Sequence, residues 1–308
     1  SSVILILRYG SGNCFLKFLV KDEQAMYEEI SKYIEQACYE EAEACIHAET
    51  EKTGYTDILA ILEAEICYQK QEYQKMFSCI QRGLIYNCRN YELYFMLGLP
   101  GEREDDIEQI AVLADKIAAK YFELPKEERH GRPEIVASSS FFVPKPFTPF
   151  QWSPMNTAEQ FESKRRFLLG KVKEQLNQRS IRYQCHDAVT SELEGIFARG
   201  DRKLCKVIED AYRRGCIFDA WTDYFKEDVW EQVMDENGVS RYFYNYRERN
   251  KDEIFPWDFI DIGVSKNFLY REYENSLQEK VTPNCRAKCS GCGAAKFGSG
   301  VCMEWRQA

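Results

Sequence analysis

The chain has 308 residues, of which 44% are hydrophobic and 30% are charged, and its net charge is -9. This length predicts two domains, and this composition predicts that most of the chain folds. The net negative charge argues against a protein that binds nucleic-acid backbones in general, because such proteins carry a basic surface. No apolar stretch approaches the roughly 20 residues that a bilayer-spanning helix needs. We therefore predict no membrane span.

The first residues read SSVILILRYG, a short apolar run without a basic segment before it or a cleavage site after it. This pattern predicts no signal peptide. The chain does not begin with Met, so we expect a fragment or an excised piece of a longer protein. Thirteen cysteines without a secretion signal predict a cytoplasmic protein, in which clustered thiols serve as metal ligands rather than as disulfides.

Residues 22 to about 98 follow a helical pattern with a 34-residue period. Large and small apolar residues recur at this interval: Tyr39, Ala42 and Ile46, then Tyr73, Met76 and Ile80. This period resembles tetratricopeptide repeats, although Gln71 and Cys88 stand where that family often has Gly and Pro. Such repeats bind protein partners on a concave face and carry no chemistry of their own. An ordinary helical bundle with chance spacing is the alternative.

From Leu99 onward the pattern alternates between strands and helices. The run YFMLGLPG predicts a strand and a Gly-Pro-Gly turn, and an acid-rich helix follows it. EIVASSSFF predicts a second strand, TAEQFESKRRFLLGKVKEQLNQ a helix, and IRYQCH a third strand. This alternation predicts an α/β arrangement with parallel strands.

Four cysteines lie close together near the C-terminus. Cys285, Cys289 and Cys292 have the order C-x-x-x-C-x-x-C, and Cys302 follows ten residues later. Thiolates at this spacing can surround one metal ion or cluster, and the glycines between them permit tight turns. A disulfide or a disordered tail is the alternative. The cysteines of the helical region lack this spacing and are predicted to be small core residues.

Three stretches resemble one family when they are taken together and in order. They are FMLGLPGEREDD (Phe95 to Asp106), SSFFVPKPFTPFQW (Ser139 to Trp152), and the run from GIFARGDRKL through PWDFIDIGVSKNFLYRE to the terminal cysteines. Over about residues 95–308 the chain resembles the C-terminal part of a radical SAM protein of the cobalamin-binding-domain type. This chain has Phe147 where such proteins commonly carry His.

The resemblance implies two sets of site residues. The Gly-rich turn of such enzymes lies near the adenosyl part of S-adenosylmethionine, and here it corresponds to Gly98, Pro100, Gly101 and Glu102. The cluster loop that generates the radical lies upstream of that turn in the family, so the terminal cysteines are not assigned to it. They correspond to the family's C-terminal cysteines, which implies an auxiliary iron–sulfur cluster or a zinc ion.

Two further groups of polar residues carry weaker patterns. His186 and Asp187 follow a predicted strand and form either an acid–base pair or part of a surface loop, and the loop is favoured. Arg199, Asp201 and Arg202 form a charged turn between helices. That turn holds either a phosphate-like group or a salt bridge, and the sequence slightly favours the structural role.

These patterns predict a mixed α and α/β fold in four parts. A helical, tetratricopeptide-like region spans residues 1–94 and the C-terminal portion of a partial radical SAM (TIM-like) barrel spans 95–178. A mostly helical region spans 179–280, and a Cys-rich tail that binds a metal or cluster spans 281–308. The barrel portion would be a remnant with exposed edges.

The function that we expect is that of a fragment or chimera of a radical SAM iron–sulfur protein of unknown substrate. It would not be catalytically competent alone, and S-adenosylmethionine and cobalamin would belong to the parent family only. The alternative is a non-catalytic interaction protein whose helical repeats bind an unknown protein partner and whose Cys tail binds zinc. Both expectations place the protein in the cytoplasm, without membrane or general nucleic-acid binding.

Overall fold

The computed structural model describes residues 21–54, 56–85, 90–129, 131–283, 285, 288–298 and 302. The chain divides into two compact units. The first unit comprises Ser1–Leu97, Glu102–Ser140 and Ser163–Cys185, and the second comprises Gly98–Gly101, Phe141–Glu162 and His186–Ala308. Among the described residues, no helix combines the length and apolarity needed to cross a membrane.

Four helices begin the first unit: α1 (Lys21–Glu35), α2 (Tyr39–Thr53), α3 (Asp57–Gln69) and α4 (Tyr73–Ile85). Helix α1 packs against α2, and α3 packs against α4, so the helices form two consecutive hairpins. The apolar residues that recur 34 positions apart lie at equivalent places in α2 and α4, whose first residues are Tyr39 and Tyr73. Ala42 and Ile46 of α2 are buried, as are Met76 and Ile80 of α4.

The turns inside the two hairpins repeat as well. Ala37 and Gln71 lie 34 residues apart and adopt left-handed φ values of 55° and 60°. In each turn, the amide after this residue donates to a carbonyl five residues earlier at 2.8 Å. This left-handed conformation is the one that glycine adopts at lowest cost at a helix C-terminus. The 34-residue period of the sequence is therefore a structural period of helical hairpins.

A three-stranded sheet completes the first unit. Strands β1 (Asn90–Leu97), β2 (Glu134–Phe141) and β3 (Ile181–Cys185) lie in the order β1-β2-β3. β2 and β3 are parallel, with Ile135 opposite Ile181 and Ser139 opposite Cys185. Helices α5 (Glu104–Phe122) and α6 (Ala158–Glu174) lie between successive strands of the chain. The predicted strands and the predicted parallel pairing are confirmed.

The helical prediction was wrong at its C-terminal end. Residues 90–97 form strand β1, and the side chains of Tyr91, Leu93, Phe95 and Leu97 are buried at every second position. A period of two places one face of a strand in the core, whereas a helix would bury residues at intervals of three and four. In the described part of the chain the three strands form an open sheet, and no barrel closes.

The second unit contains helices α7 (Ala188–Arg199), α8 (Leu204–Arg213), α9 (Glu227–Glu236) and α10 (Lys266–Leu277). Two apolar clusters form its core. One joins α7, α8 and α9 around Val207, Trp230 and Val233. The other surrounds Trp152 with Phe255, Trp257, Leu269 and Tyr273. The second cluster brings the FTPFQW and PWDFID stretches together with α10.

Candidate metal centre

The four cysteines predicted to bind metal lie in the C-terminal tail of the second unit. Cys285 and Cys289 are exposed, whereas Cys292 and Cys302 are partly buried. No three Cys, His, Asp or Glu side chains come together as a metal site among the described residues. The tail thus places the predicted ligands in one short segment without gathering three of them around a point.

A tight turn surrounds Cys292. Gly291 and Gly293 adopt left-handed φ values of 71° and 105°, which glycine takes at low cost. The turn brings the backbone amide of Ala294 to 3.4 Å from the Sγ atom of Cys292, to which it donates. An N–H donor at a sulfur would orient it as a metal ligand.

The segment around this turn is fastened to the start of α10. The amide of Ser265, the N-cap residue of α10, donates to the carbonyl of Cys292 at 2.9 Å. One guanidinium nitrogen of Arg271 donates to the carbonyl of Ser290 at 2.6 Å. The acceptors in both bonds are backbone carbonyls of the cysteine-bearing segment, and neither bond uses a thiol.

A second contact fixes the tail further along the chain. The ring of Phe297 lies where a Cβ atom at Gly263 would be, only 1.9 Å from that position. Lys296 pairs with the carboxylate of Asp261. This hydrogen bond, together with the amide of Gly263, holds the pKa of Asp261 below its ordinary value. The tail therefore packs against the loop that precedes α10 through both apolar and ionic contacts.

The chemistry of these donors fits a metal that binds through sulfur. Thiolates select zinc and iron–sulfur clusters, whereas magnesium and calcium select oxygen ligands. The turn at Cys292 supplies an amide donor to one of the sulfurs, and such outer-shell donors orient metal ligands. Cys285, Cys289, Cys292 and Cys302 are the residues that would hold the metal.

The turn predicted to bind S-adenosylmethionine is closely packed at its first glycine. Gly98 has a φ of 88°, and a Cβ atom there would lie 2.5 Å from the ring of Phe161. The side-chain oxygen of Asn156, buried without a partner in the described structure, lies 3.1 Å from the same position. Gly101 faces open space, and Pro100 is partly buried. Protein atoms thus fill the space beside Gly98.

The acidic residue of that turn is already paired. Lys164 of α6 donates to the carboxylate of Glu102, whose side chain is 7% exposed. A paired and buried carboxylate does not bind the ammonium group of a ligand without breaking its own ion pair. The contacts at Gly98 and Glu102 therefore do not fit S-adenosylmethionine. Sequence reasoning missed Lys164, which lies 62 residues away along the chain.

Gln151 joins two of the sequence stretches that carry the resemblance. Its side-chain oxygen accepts from the amide of Phe147 at 3.1 Å and from the indole N–H of Trp257 at 2.8 Å. Phe147 itself adopts a left-handed φ of 59°. The side chain at this position is apolar and has no polar role. The structural function of these stretches is to build the buried cluster around Trp152.

The remaining candidate residues make contacts within the protein. Asp187 is the N-cap of α7 and accepts from the amide of Thr190 at 2.8 Å. The neighbouring His186 is exposed. Arg199 is buried and donates to backbone carbonyls, whereas Asp201 accepts the amide of Lys203 at 2.8 Å. Sequence reasoning missed Arg249, which packs beside Arg199, because no local spacing links the two.

Comparisons with known proteins give one weak similarity. No family model and no solved structure matches the chain. The chain is similar to an uncharacterized protein of Methanocaldococcus jannaschii, with 25% identity over 153 residues. The match covers 46% of this chain and 31% of that protein, so the matched segment spans less than a third of the relative's length.

Proposed function

We propose that this chain is the C-terminal portion of an iron–sulfur protein of radical SAM descent. Its tail binds a cluster through Cys285, Cys289, Cys292 and Cys302. The observation that carries the proposal is the hydrogen bond from the amide of Ala294 to the sulfur of Cys292 at 3.4 Å. The spacing of the four cysteines supplies the ligand set, and the Ala294 amide adds a donor beside one of the sulfurs.

The attachment of the tail supports this proposal. Its backbone is held at Cys292 and Ser290 by bonds from Ser265 and Arg271, so two of the cysteines lie on a segment with a fixed path. The chain then loses less conformational entropy when a metal site forms than a free tail would lose. An iron–sulfur cluster at this place would supply one-electron transfer.

The proposal assigns no radical chemistry to the chain by itself. In the family that it resembles, the loop that binds the radical-generating cluster lies upstream of the GLPGE turn, and in this chain helical hairpins precede that turn. Protein groups also contact the turn itself, since the ring of Phe161 lies beside Gly98 and the ammonium group of Lys164 pairs with Glu102. We expect the purified and reconstituted chain to form no 5′-deoxyadenosine from S-adenosylmethionine, and product formation would refute this part of the proposal.

The second candidate is a non-catalytic interaction protein with a zinc-binding tail. The observation that favours it is the repetition of the turns at Ala37 and Gln71, 34 residues apart. Repeated helical hairpins of this period offer a surface for a protein partner, as tetratricopeptide repeats do. Four thiols suit a structural zinc ion as well as they suit a cluster.

Reconstitution of the anaerobic chain with iron and sulfide separates the two candidates. We expect iron and acid-labile sulfide in the wild type and their loss in Cys289→Ala and Cys292→Ala. The matched control is Cys205→Ala, an exposed thiol on α8 outside the tail, which should keep both. Zinc without sulfide would favour the interaction protein, and equal metal content in all variants would refute the ligand assignment.

A further inference from the structure

Two arginine side chains are buried in the second unit, outside the metal-binding tail. Arg199 is the last residue of α7, and its exposed fraction is 1%. The exposed fraction of Arg249 is 5%. Arginine is almost never fully buried unless it is paired. Two such residues in one place therefore require a partner for their charge.

The partners that the protein supplies are neutral. Arg199 donates to the backbone carbonyls of Asn245 at 3.3 Å and of Gln151 at 3.4 Å. Arg249 donates to the carbonyls of Arg199 and Tyr244, both at 3.3 Å. These bonds are long for charged donors, which normally approach to about 2.7–2.9 Å. Neither guanidinium forms an ion pair with any residue in the described part of the chain.

Two donors of this arginine pair, the Nε atoms, are buried without a partner among the described residues. The indole nitrogen of Trp152 is also buried without a partner there. The carbonyl of Trp152 accepts the amide of Arg249 at 3.0 Å, so the tryptophan belongs to the same cluster of residues. Buried donors are rarely left unsatisfied in folded proteins, so the two Nε atoms call for an acceptor that the described residues do not supply.

Glu253 acts electrostatically on both arginines but forms its ion pair with Arg247. Glu253 binds the guanidinium of Arg247 with two bonds of 2.6 and 2.7 Å. Arg249 instead lies over the rings of Phe255 and Trp257, each at 5.3 Å. Burial, together with repulsion from Arg249 and Arg247, lowers the pKa of Arg199 to about 9. The cluster thus carries a surplus of positive charge in a protein whose net charge is -9.

We propose that Arg199 and Arg249 form a binding site for an oxyanion, the phosphate group of a small ligand. The planar fork of a guanidinium, an Nε–H beside an Nη–H, matches two oxygens of a phosphate. The unpaired Nε atom of each arginine provides one donor of such a fork. Exposed basic residues flank both arginines along the chain, namely Arg202, Lys203 and Lys251. They would attract an anion toward the pair. The site is independent of the metal-binding tail.

Titration of the full chain with inorganic phosphate tests this site, with sodium chloride at matched ionic strength as the reference. We expect a saturable rise in Tm of about 2–4 °C with phosphate and none with chloride. The rise should be lost in Arg249→Gln. It should persist in Arg214→Gln, which removes an exposed arginine paired with Glu236 on the surface of the same unit.

If Arg249→Gln does not fold, Arg249→Lys keeps the charge but loses the fork and should weaken phosphate binding at least tenfold, a difference of about 1.4 kcal/mol. A nucleoside monophosphate is the second probe. Tighter binding of the nucleotide than of inorganic phosphate would identify a phosphate ester as the ligand, and tighter binding of phosphate would identify the free ion. An equal Tm rise in chloride, no rise in either salt, or unchanged phosphate binding in the Arg249 variants would overturn the proposal.

Discussion

Replacing Gln71 by glycine should stabilise the first unit. Gln71 has a φ of 60° in the turn between α3 and α4, a conformation that costs an ordinary residue about 1–2 kcal/mol. Its side chain is exposed, so no packing is lost. Glycine adopts the turn freely but gives the unfolded chain more freedom, which costs about 0.5–1 kcal/mol. The difference is a gain of about 0.5–1 kcal/mol in the free energy of unfolding.

Urea unfolding followed by far-ultraviolet circular dichroism measures this gain as a higher midpoint at an unchanged slope. The matched control is Gln74→Gly, which makes the same substitution at an exposed position, the second residue of α4. Glycine is less favourable in a helix than glutamine, by at most about 1 kcal/mol, so this variant should lose stability. If Gln71→Gly loses as much stability as Gln74→Gly, the left-handed turn and the structural repeat that it belongs to are refuted.

Three further predictions concern buried groups and the tail. Burial raises the pKa of the Cys79 thiol to about 12 from 9.0, so the stability it contributes is present below pH 9.0 and is lost as pH rises toward about 12. Urea midpoints at pH 8 and about pH 10 should differ less in Cys79→Ala than in the wild type. Lys164→Met should cost about 1–3 kcal/mol because it removes the ammonium group that pairs with the buried Glu102 carboxylate, and adding Glu102→Gln should restore part of this in the same unfolding assay. Gly263→Ala should displace the tail ring that packs there and speed tryptic cleavage of the tail, whereas Gly238→Ala, with open space around it, should not.

Local patterns in the sequence predicted the elements that depend on neighbouring residues. The strands at residues 134–141 and 181–185 and the helices α5 and α6 follow from short apolar runs and helical periods. The 34-residue interval between Tyr39 and Tyr73 also matches the start of equivalent helices. The segment at residues 90–97 was ambiguous because YELYFMLG fits both a repeat helix and a strand. Its pairing with β2, which is a long-range contact, decides between them.

Partners that lie far apart in the chain could not be predicted. Lys164 reaches Glu102 across 62 residues, and Arg249 reaches the carbonyl of Arg199 across 50. Such pairs depend on the path of the whole chain and leave no spacing in the sequence. The cysteine cluster is visible in the sequence because its four members lie close together, whereas the attachment of its segment to α10 through Ser265 became visible only in the structure.

Native mass spectrometry of the anaerobically purified chain tests the central claim most directly. The mass increment over the polypeptide identifies whatever the tail holds in a single measurement. We predict the increment of an iron–sulfur cluster, and we predict its absence in Cys292→Ala. The increment of one zinc ion would contradict the cluster and favour the interaction protein. The bare mass of the polypeptide, after reconstitution with either metal, would contradict a metal centre in this chain.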